Sequence, residues 1–159
     1  MKVILFTSTS LRHIGLSKRL SQSKKFIVER VFHESMKKNS IDENRKISGN
    51  QINHLKERSQ SEKDIFSWFL DDCDNENYNS EYVEYGWFSS NDCLERIKKI
   101  GPDLILVYGS SIIKGEIINL FRNRIINLHL GLSPYYRGAG TNFFPFVNCE
   151  PEYCGATFL

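Results

Sequence analysis

Short apolar runs and helical apolar patterns follow one another along the chain. Runs rich in aliphatic and aromatic residues predict strands at 2–8, 26–32, 81–88, 103–108, 125–130 and 153–159. Apolar residues three or four positions apart predict helices at 11–21, 51–70, 93–100, 112–121 and 142–148. Strands that alternate with helices form a parallel sheet with helices on both faces. We therefore predict an α/β fold with a doubly wound, mostly parallel sheet.

Capping residues define several of these boundaries. Ser90 and its polar neighbours precede the helix at 93–100, and Gly101 with Pro102 follows it. Thr141 stands directly before the short apolar helix and is predicted to be its N-cap. The run at 103–108 is apolar throughout, as expected for a central strand of a parallel sheet.

Three polar segments separate the predicted elements. Residues 33–54 predict a loop or a weak strand, and residues 57–62 interrupt the helical pattern of 51–70. The acidic segment 71–80 lacks the register of a calcium-binding loop, so it is predicted to be a solvent-exposed connector.

Composition indicates one folded domain. The chain has 159 residues, 40% of them hydrophobic and 13% aromatic, which suffices for a buried core. Its apolar runs are far shorter than the ~18 residues of a membrane span, and its first residues are too short an apolar run for a signal peptide. We expect a cytoplasmic protein that does not enter a membrane.

Charge is unevenly distributed along the chain. Residues 1–63 contain 14 Lys and Arg against 6 Asp and Glu, whereas residues 64–95 contain 9 Asp and Glu and no Lys or Arg. A basic segment can attract a phosphorylated substrate or RNA, but it can equally be the solvated face of helices. RNA binding has no motif to support it, and DNA binding is not expected.

The cysteines predict no metal site and no disulfide framework. Cys73, Cys93, Cys149 and Cys154 form no Cys-x-x-Cys pair and no zinc-ligand spacing with histidine. We expect reduced thiols. A disulfide between Cys149 and Cys154 is the alternative.

The first turn does not predict a dinucleotide site. It reads Ser8-Thr9-Ser10-Leu11-Arg12-His13, without the Gly-x-Gly-x-x-Gly pattern. Arg12 and His13 begin a predicted helix, where they could meet an anion. The alternative is that both are plain surface residues.

Asn127 and His129 are the candidate catalytic pair. Side chains alternate along a strand, so both project from the same side of the strand at 125–130. An amide can donate to a developing oxyanion, and an imidazole can donate to it or move a proton, which suits acyl transfer. The alternative is a loop-bonding Asn127 and a satisfied core His129.

The residues that follow resemble one family. Asn127-x-His129 precedes a loop containing Ser133-Pro134-Tyr135-Tyr136-Arg137-Gly138, then a short helix and Gly155-Ala156-Thr157. This order resembles the folate-dependent formyltransferases over residues 103–157. It departs from their commonest form at Leu130, where a proline is usual, and at Gly131. Neither position supplies a catalytic side chain.

The resemblance implies a Rossmann-like formyltransferase fold and transfer of the formyl group of 10-formyltetrahydrofolate to an amine. Asn127 would donate to the oxyanion, and His129, as imidazolium, would stabilise it and help move protons. The segment that lines the folate pocket of the family corresponds here to Tyr108, Gly109, Ser111 and Ile113. The family also needs an Asp beyond the Gly-Ala-Thr strand, which the chain, ending at Leu159, does not include. Residues 1–159 are therefore expected to be an N-terminal catalytic domain incomplete at its C-terminus, a fragment or a prematurely ended reading frame, and inactive or nearly so alone.

The first turn bears on the identity of the acceptor. The first turn lacks the Gly-Thr-Pro-x-Phe pattern of methionyl-tRNA formyltransferases and the glycine-rich turn of glycinamide ribonucleotide formyltransferases, and it looks more like the amino-sugar branch. We expect a nucleotide-linked amino sugar for surface polysaccharide, contacted by Arg12, Tyr136 and Arg137. The alternatives are a methionyl-tRNA formyltransferase-like enzyme and a non-catalytic module that binds folate or a partner. A homodimer is left open.

Overall fold

The computed structural model describes residues 1–36, 49–71, 78–138 and 140–159, and for residues 50, 51, 54, 55 and 68–71 it describes the backbone alone. The predicted segments at 33–54 and 71–80 therefore lie partly outside the described residues, and Cys73 lies outside them. No helix in the described part of the chain is both long and apolar enough to span a membrane.

Strands and helices alternate, as the hydrophobic pattern predicts. The strands are β1 Lys2–Ser8, β2 Ile27–Glu34, β3 Ser80–Val83, β4 Leu104–Tyr108, β5 Ile125–Leu130 and β6 Ala156–Phe158. The helices are α1 Leu11–Ser21, α2 Gly49–Asp71, α3 Asn91–Ile100, α4 Glu116–Leu120 and α5 Phe144–Val147. Short 3-10 turns lie at Trp87–Ser89 and Pro151–Tyr153. The predicted bounds of α1 and β5 are confirmed at both ends.

Within the described residues the strands form one sheet in the order β3-β2-β1-β4-β5-β6. Neighbours from β3 to β5 are parallel, and β6 pairs antiparallel to β5. The strand order reverses between β1 and β4, and in sheets of this kind ligands bind at the carboxyl ends of the strands beside such a reversal. The predicted α/β class and the mostly parallel sheet are confirmed.

Two apolar clusters cover the two faces of the sheet. The larger cluster packs β1, β2 and β4 against α3 and α4, and the Phe6 and Phe88 rings stack in it at 4.2 Å. The smaller cluster contains Leu5 and Val31 and is covered by Leu20 of α1. We call the side of the larger cluster the α3 face and the other side the α1 face. Apolar residues at consecutive positions of β1 serve both clusters, because a central parallel strand is buried on both sides.

The caps of α3 follow the sequence prediction. Ser90 Oγ accepts a hydrogen bond from the Cys93 amide at 3.1 Å, and Gly101 ends the helix with a φ of 62°. Lys98 and Lys99 lie in the last turn, where cations stabilise the helix dipole. Burial raises the pKa of the Cys93 thiol to about 12. Cys93, Cys149 and Cys154 are free, which confirms the predicted thiols at these three positions.

The predicted interruption of α2 at 57–62 is wrong, because the helix is continuous. Residues 57–61 are exposed all round the helix, and polar side chains bond along it: Arg58 pairs with Glu62 at 3.5 Å, and Gln60 donates to Asp64 at 2.7 Å. Pairs four residues apart stabilise a solvent-facing helix that has few apolar residues. The missing apolar period therefore reflects exposure and not a break.

Two more elements are shorter than their apolar runs predict. The strand predicted at 81–88 ends at Val83, because Gly86, with a φ of 86°, turns the chain and the buried Phe88 fills the core. The helix predicted at 112–121 begins only at Glu116, and residues 109–115 form an irregular loop. In that loop Ile113 packs on the larger cluster, while Ile112 is 77% exposed.

The C-terminal elements also differ from prediction at their starts. The residue at the N-cap position of α5 is Phe143 and not Thr141, because Thr141 is buried against Gly131. The last strand begins at Ala156 and not at 153, since residues 151–153 form a 3-10 turn that Pro151 starts.

Candidate active site

Strand β5 carries both members of the candidate catalytic pair to one side of the sheet. Asn127 lies beside Val107 in the β4–β5 ladder, and Ile125 packs on the larger cluster, so the side chains of Asn127 and His129 project toward the α3 face. Both residues are half-buried. The Asn127 backbone pairs with Leu159 through bonds of 2.8 and 2.9 Å, which fixes its position between β4 and β6.

The His129 imidazole has a buried nitrogen without a partner. Nε2 is inaccessible to solvent and makes no hydrogen bond within the described part of the chain. Buried polar atoms are nearly always hydrogen-bonded, and an exception in a native fold needs an explanation. A ligand group that hydrogen-bonds Nε2 would explain this exception, because ligands of parallel sheets bind at the carboxyl ends of the strands, where His129 lies beside Asn127.

Thr157 on β6 fixes the chain just after His129. It lies opposite His129 in the antiparallel ladder, and its Oγ1 accepts from the Ser133 amide at 3.0 Å and donates to the Gly131 carbonyl at 2.8 Å. The Gly131 amide donates to the Gly155 carbonyl at 2.8 Å. The threonine of the Gly-Ala-Thr segment therefore holds the loop that leaves the candidate site, a role that its sequence position alone did not indicate.

The loop after β4 lies next to this pair. Gly109, with a φ of 68°, turns the chain at the end of β4, and Ser111 and Ile113 follow on the α3 face. By contrast, the Tyr108 ring points to the α1 face, where it meets the His13 ring edge-on at 4.4 Å. Of the predicted folate-pocket side chains, those of Ser111 and Ile113 lie on the side of Asn127 and His129, and that of Tyr108 does not.

The first turn is more buried than a surface turn. His13 is 5% exposed, and its Nδ1 contacts the Ser8 hydroxyl and lies 2.6 Å from the Ser10 Oγ. The alternative that His13 is a plain surface residue is therefore wrong. Its ring covers Gly109, where a side chain would clash with it. Arg12 forms an ion pair with Glu62 of α2, so the structure places its guanidinium between the two helices of the α1 face.

Burial, helped by the charges of Arg12 and His33, lowers the pKa of His13 to about 4. Burial also lowers the pKa of His33, although its bond to the Ser8 carbonyl opposes this. Both rings are thus neutral in the folded protein near neutral pH.

We expect this burial to make stability fall as the pH is lowered from about 6.5 to about 4, because the unfolded chain binds a proton on His13 that the folded chain does not. One pKa unit corresponds to about 1.4 kcal/mol, so His13 contributes on the order of 1 kcal/mol per pH unit in this range. Urea unfolding at several pH values measures the slope. The variant His13→Gln should show a smaller slope than the wild-type protein, and equal slopes would contradict the assignment.

The loop after β5 holds the other two predicted acceptor residues. The Tyr136 hydroxyl donates to the Glu150 carboxylate and accepts from Asn148 Nδ2 at 3.0 Å, and Arg137 is exposed. An open cleft of about 380 Å³ lies here, lined by Tyr135, Tyr136, Asn148, Glu150 and Tyr153. The structure thus keeps Tyr136 and Arg137 together and places Arg12 against α2.

The fold is similar to that of known formyltransferases. The phosphoribosylglycinamide formyltransferase from Bacillus halodurans superposes with a TM-score of 0.58 at 12% identity, over 99% of this chain and 70% of that one. The enzyme of the same name from Brucella melitensis gives a TM-score of 0.56 at 16% identity, over 99% and 79%. At such identities the likeness supports the fold alone, and it agrees with the predicted Rossmann-like formyltransferase fold.

Sequence comparison extends the likeness. Methionyl-tRNA formyltransferase of Finegoldia magna is 33% identical over 66 residues, which are 40% of this chain and 21% of that protein. Since 66 residues are 40% of this chain but only 21% of that protein, this chain has about half of that relative's length. The model of the formyl transferase family matches residues 1–158. Because that match extends over nearly the whole chain, the chain belongs to the formyl transferase family.

Proposed function

We propose that the protein transfers the formyl group of 10-formyltetrahydrofolate to an amine, with Asn127 and His129 as its catalytic side chains. The observation that carries this proposal is the buried, unpartnered Nε2 of His129 at the carboxyl end of β5, in a member of this family. The donor supplies an activated formyl carbon. Gly109, Ser111 and Ile113 are the proposed contacts to it, with Gly109 offering close backbone approach and Ile113 an apolar surface. The Tyr108 ring lies on the α1 face, so the proposed contact of Tyr108 is through its backbone alone.

The two side chains divide the work of an acyl transfer. The acceptor nitrogen forms a bond to the formyl carbon, the bond to the folate nitrogen breaks, and the amine proton moves to that leaving nitrogen. Asn127 Nδ2 donates a hydrogen bond to the formyl oxygen as it gains negative charge. His129 stabilises the same charge and moves the proton from the acceptor toward the leaving nitrogen.

For the acceptor we propose the amine of a nucleotide-linked amino sugar, formylated in the cytoplasm. The support is the first turn, Ser8-Thr9-Ser10, which lacks the pattern expected of an enzyme that acts on methionyl-tRNA. Tyr136 and Arg137 are the proposed acceptor contacts. Arg12, the third residue predicted from the sequence, is ion-paired with Glu62 on the α1 face, away from the face of Asn127 and His129. Methionyl-tRNA is the second candidate, because curated relatives such as that of Finegoldia magna carry the name methionyl-tRNA formyltransferase.

Direct competition between acceptors tests this proposal. An active form of the protein that contains residues 1–159 is given 10-formyltetrahydrofolate with a nucleotide-linked amino sugar and methionyl-tRNA together, and mass spectrometry identifies the formylated product. Formylation of the sugar is the expected result. Formylation of the tRNA alone would transfer the assignment to the second candidate, and formylation of neither would overturn the proposed acceptors.

A further inference from the structure

Residues 109–115, which we call the donor loop, have no regular secondary structure to fix their backbone. Among the described residues, two side chains from outside the loop bond it. Ser89 Oγ accepts from the Lys114 amide at 2.9 Å and donates to the Ile112 carbonyl at 3.2 Å. The other partner is Glu34.

Glu34 is a buried carboxylate surrounded by hydrogen-bond donors. It is the last residue of β2, is 2% exposed, and projects to the α3 face like its neighbour Phe32 two positions earlier. Its Oε1 accepts from the Gly86 amide and the Ser111 hydroxyl, each at 2.7 Å, and its Oε2 accepts from the Ser111 amide at 2.6 Å. No Lys, Arg or His among the described residues forms an ion pair with it.

These contacts join three segments of the chain at the edge where ligands bind. Glu34 ends β2, Gly86 lies between β3 and α3, and Ser111 lies in the donor loop two strands away from β2. Hydrogen bonds to a charged acceptor are about twice as strong as neutral ones. A buried charge without a cation is costly, so its retention is better explained by the conformation that it imposes than by stability.

We propose that Glu34 is a positioning residue, which sets the conformation of the donor loop through Ser111 and so shapes the donor pocket. This role rests on the proposed function, because it assumes that the donor loop contacts 10-formyltetrahydrofolate. Glu34 acts through Ser111 and Gly86 and touches no reacting atom. Its effect is therefore on donor affinity and not on the acceptor or on the chemical step.

Calorimetry with 5-formyltetrahydrofolate, a stable isomer of the donor, tests the role. Glu34→Gln replaces one carboxylate oxygen with an NH2 group, which cannot accept a hydrogen bond from the N–H or O–H group that faces it. We expect Glu34→Gln to weaken binding by about tenfold to a hundredfold, the order expected when a hydrogen bond to a charged acceptor is lost. Glu84→Gln is the matched control, since Glu84 is exposed two residues before Gly86, and it should bind like the wild-type protein.

Two further variants separate positioning from general stability. Ser111→Ala removes the hydroxyl bond alone and should weaken binding several-fold, and the Glu34→Gln/Ser111→Ala double variant should lose less than the product of the two single effects. In an active form, Glu34→Gln should raise the KM for the folate donor and leave the KM for the acceptor unchanged. If Glu34→Gln does not fold, Glu34→Asp, which keeps the charge but draws it back from Ser111, takes its place, and unchanged donor affinity in it overturns the role.

The two proposals fail in different ways. Absence of binding to the wild-type protein would overturn the proposed function and, with it, the role of Glu34. Binding to the wild-type protein, with equal affinity in Glu34→Gln and Ser111→Ala, would overturn the role of Glu34 alone.

Discussion

Replacing Asn127 or His129 with alanine is expected to lower kcat for formyl transfer by about 10²–10³, in an active form that contains these residues. Asn127→Ala removes the proposed donor to the formyl oxygen. His129→Ala removes the only proposed group that both stabilises this charge and moves a proton. Both effects arise in the transition state, so kcat should fall while the affinity for the donor changes little.

The losses of kcat caused by the two substitutions should also be less than additive. Side chains that act on one developing charge work as a unit, so the double variant is expected to be little worse than the poorer single variant. Asn119→Ala is the matched control, because Asn119 is exposed on α4 and has no proposed role. Single-turnover kinetics measures the chemical step directly. Near-normal turnover in either single variant would remove that residue from the active site.

Gly131→Ala is expected to destabilise the protein by about 2–5 kcal/mol, the sum of backbone strain and overpacking. Gly131 follows the end of β5 with a φ of 140°, which residues with a side chain rarely adopt. A Cβ there would lie 2.6 Å from the Cβ of buried Thr141 and 2.9 Å from the Tyr136 carbonyl oxygen. The carbonyl is backbone, so the loop after His129 would have to move.

Gly138→Ala separates the two contributions to that loss. Gly138 lies in the same loop with a φ of 84°, but a Cβ there would meet no atom within 4 Å. Its substitution should cost only the strain of the backbone, about 1 kcal/mol. Urea unfolding of both variants measures the difference. Equal losses would show that contact with Thr141 and Tyr136 is not what makes a glycine necessary at position 131.

Elements set by local sequence could be predicted, and those set by distant contacts could not. The bounds of β5 follow from an apolar run with a break on each side. Ser90 begins α3 and Gly101 ends it, each through a hydrogen bond to the adjacent turn of the helix. The late start of α4 has one local signal, Gly115, which occupies the N-cap position with a φ of 81°. The cause of this late start also includes the bonds from Ser111 to Glu34, which is 77 residues away in sequence.

The same distinction applies to the site. Alternation along a strand sufficed to place Asn127 and His129 on one face, and the parallel sheet placed the donor loop beside them. Sequence did not reveal that His13 is buried, because its cover comes from Tyr108 at the end of β4 and Gly109 directly after it. It also did not reveal Thr157, whose partners Gly131 and Ser133 become neighbours only when β6 pairs with β5.

The fate of a labelled formyl group tests most directly whether the protein transfers it to an amine. An active form containing residues 1–159 is incubated with 10-formyltetrahydrofolate, labelled with carbon-13 in the formyl group, and an amine acceptor, and carbon-13 NMR follows the label. We predict that the label appears as a formamide on the acceptor, at a rate that His129→Ala lowers by about 10²–10³. A label that stays on folate, or is released as formate with no formamide, would contradict this prediction.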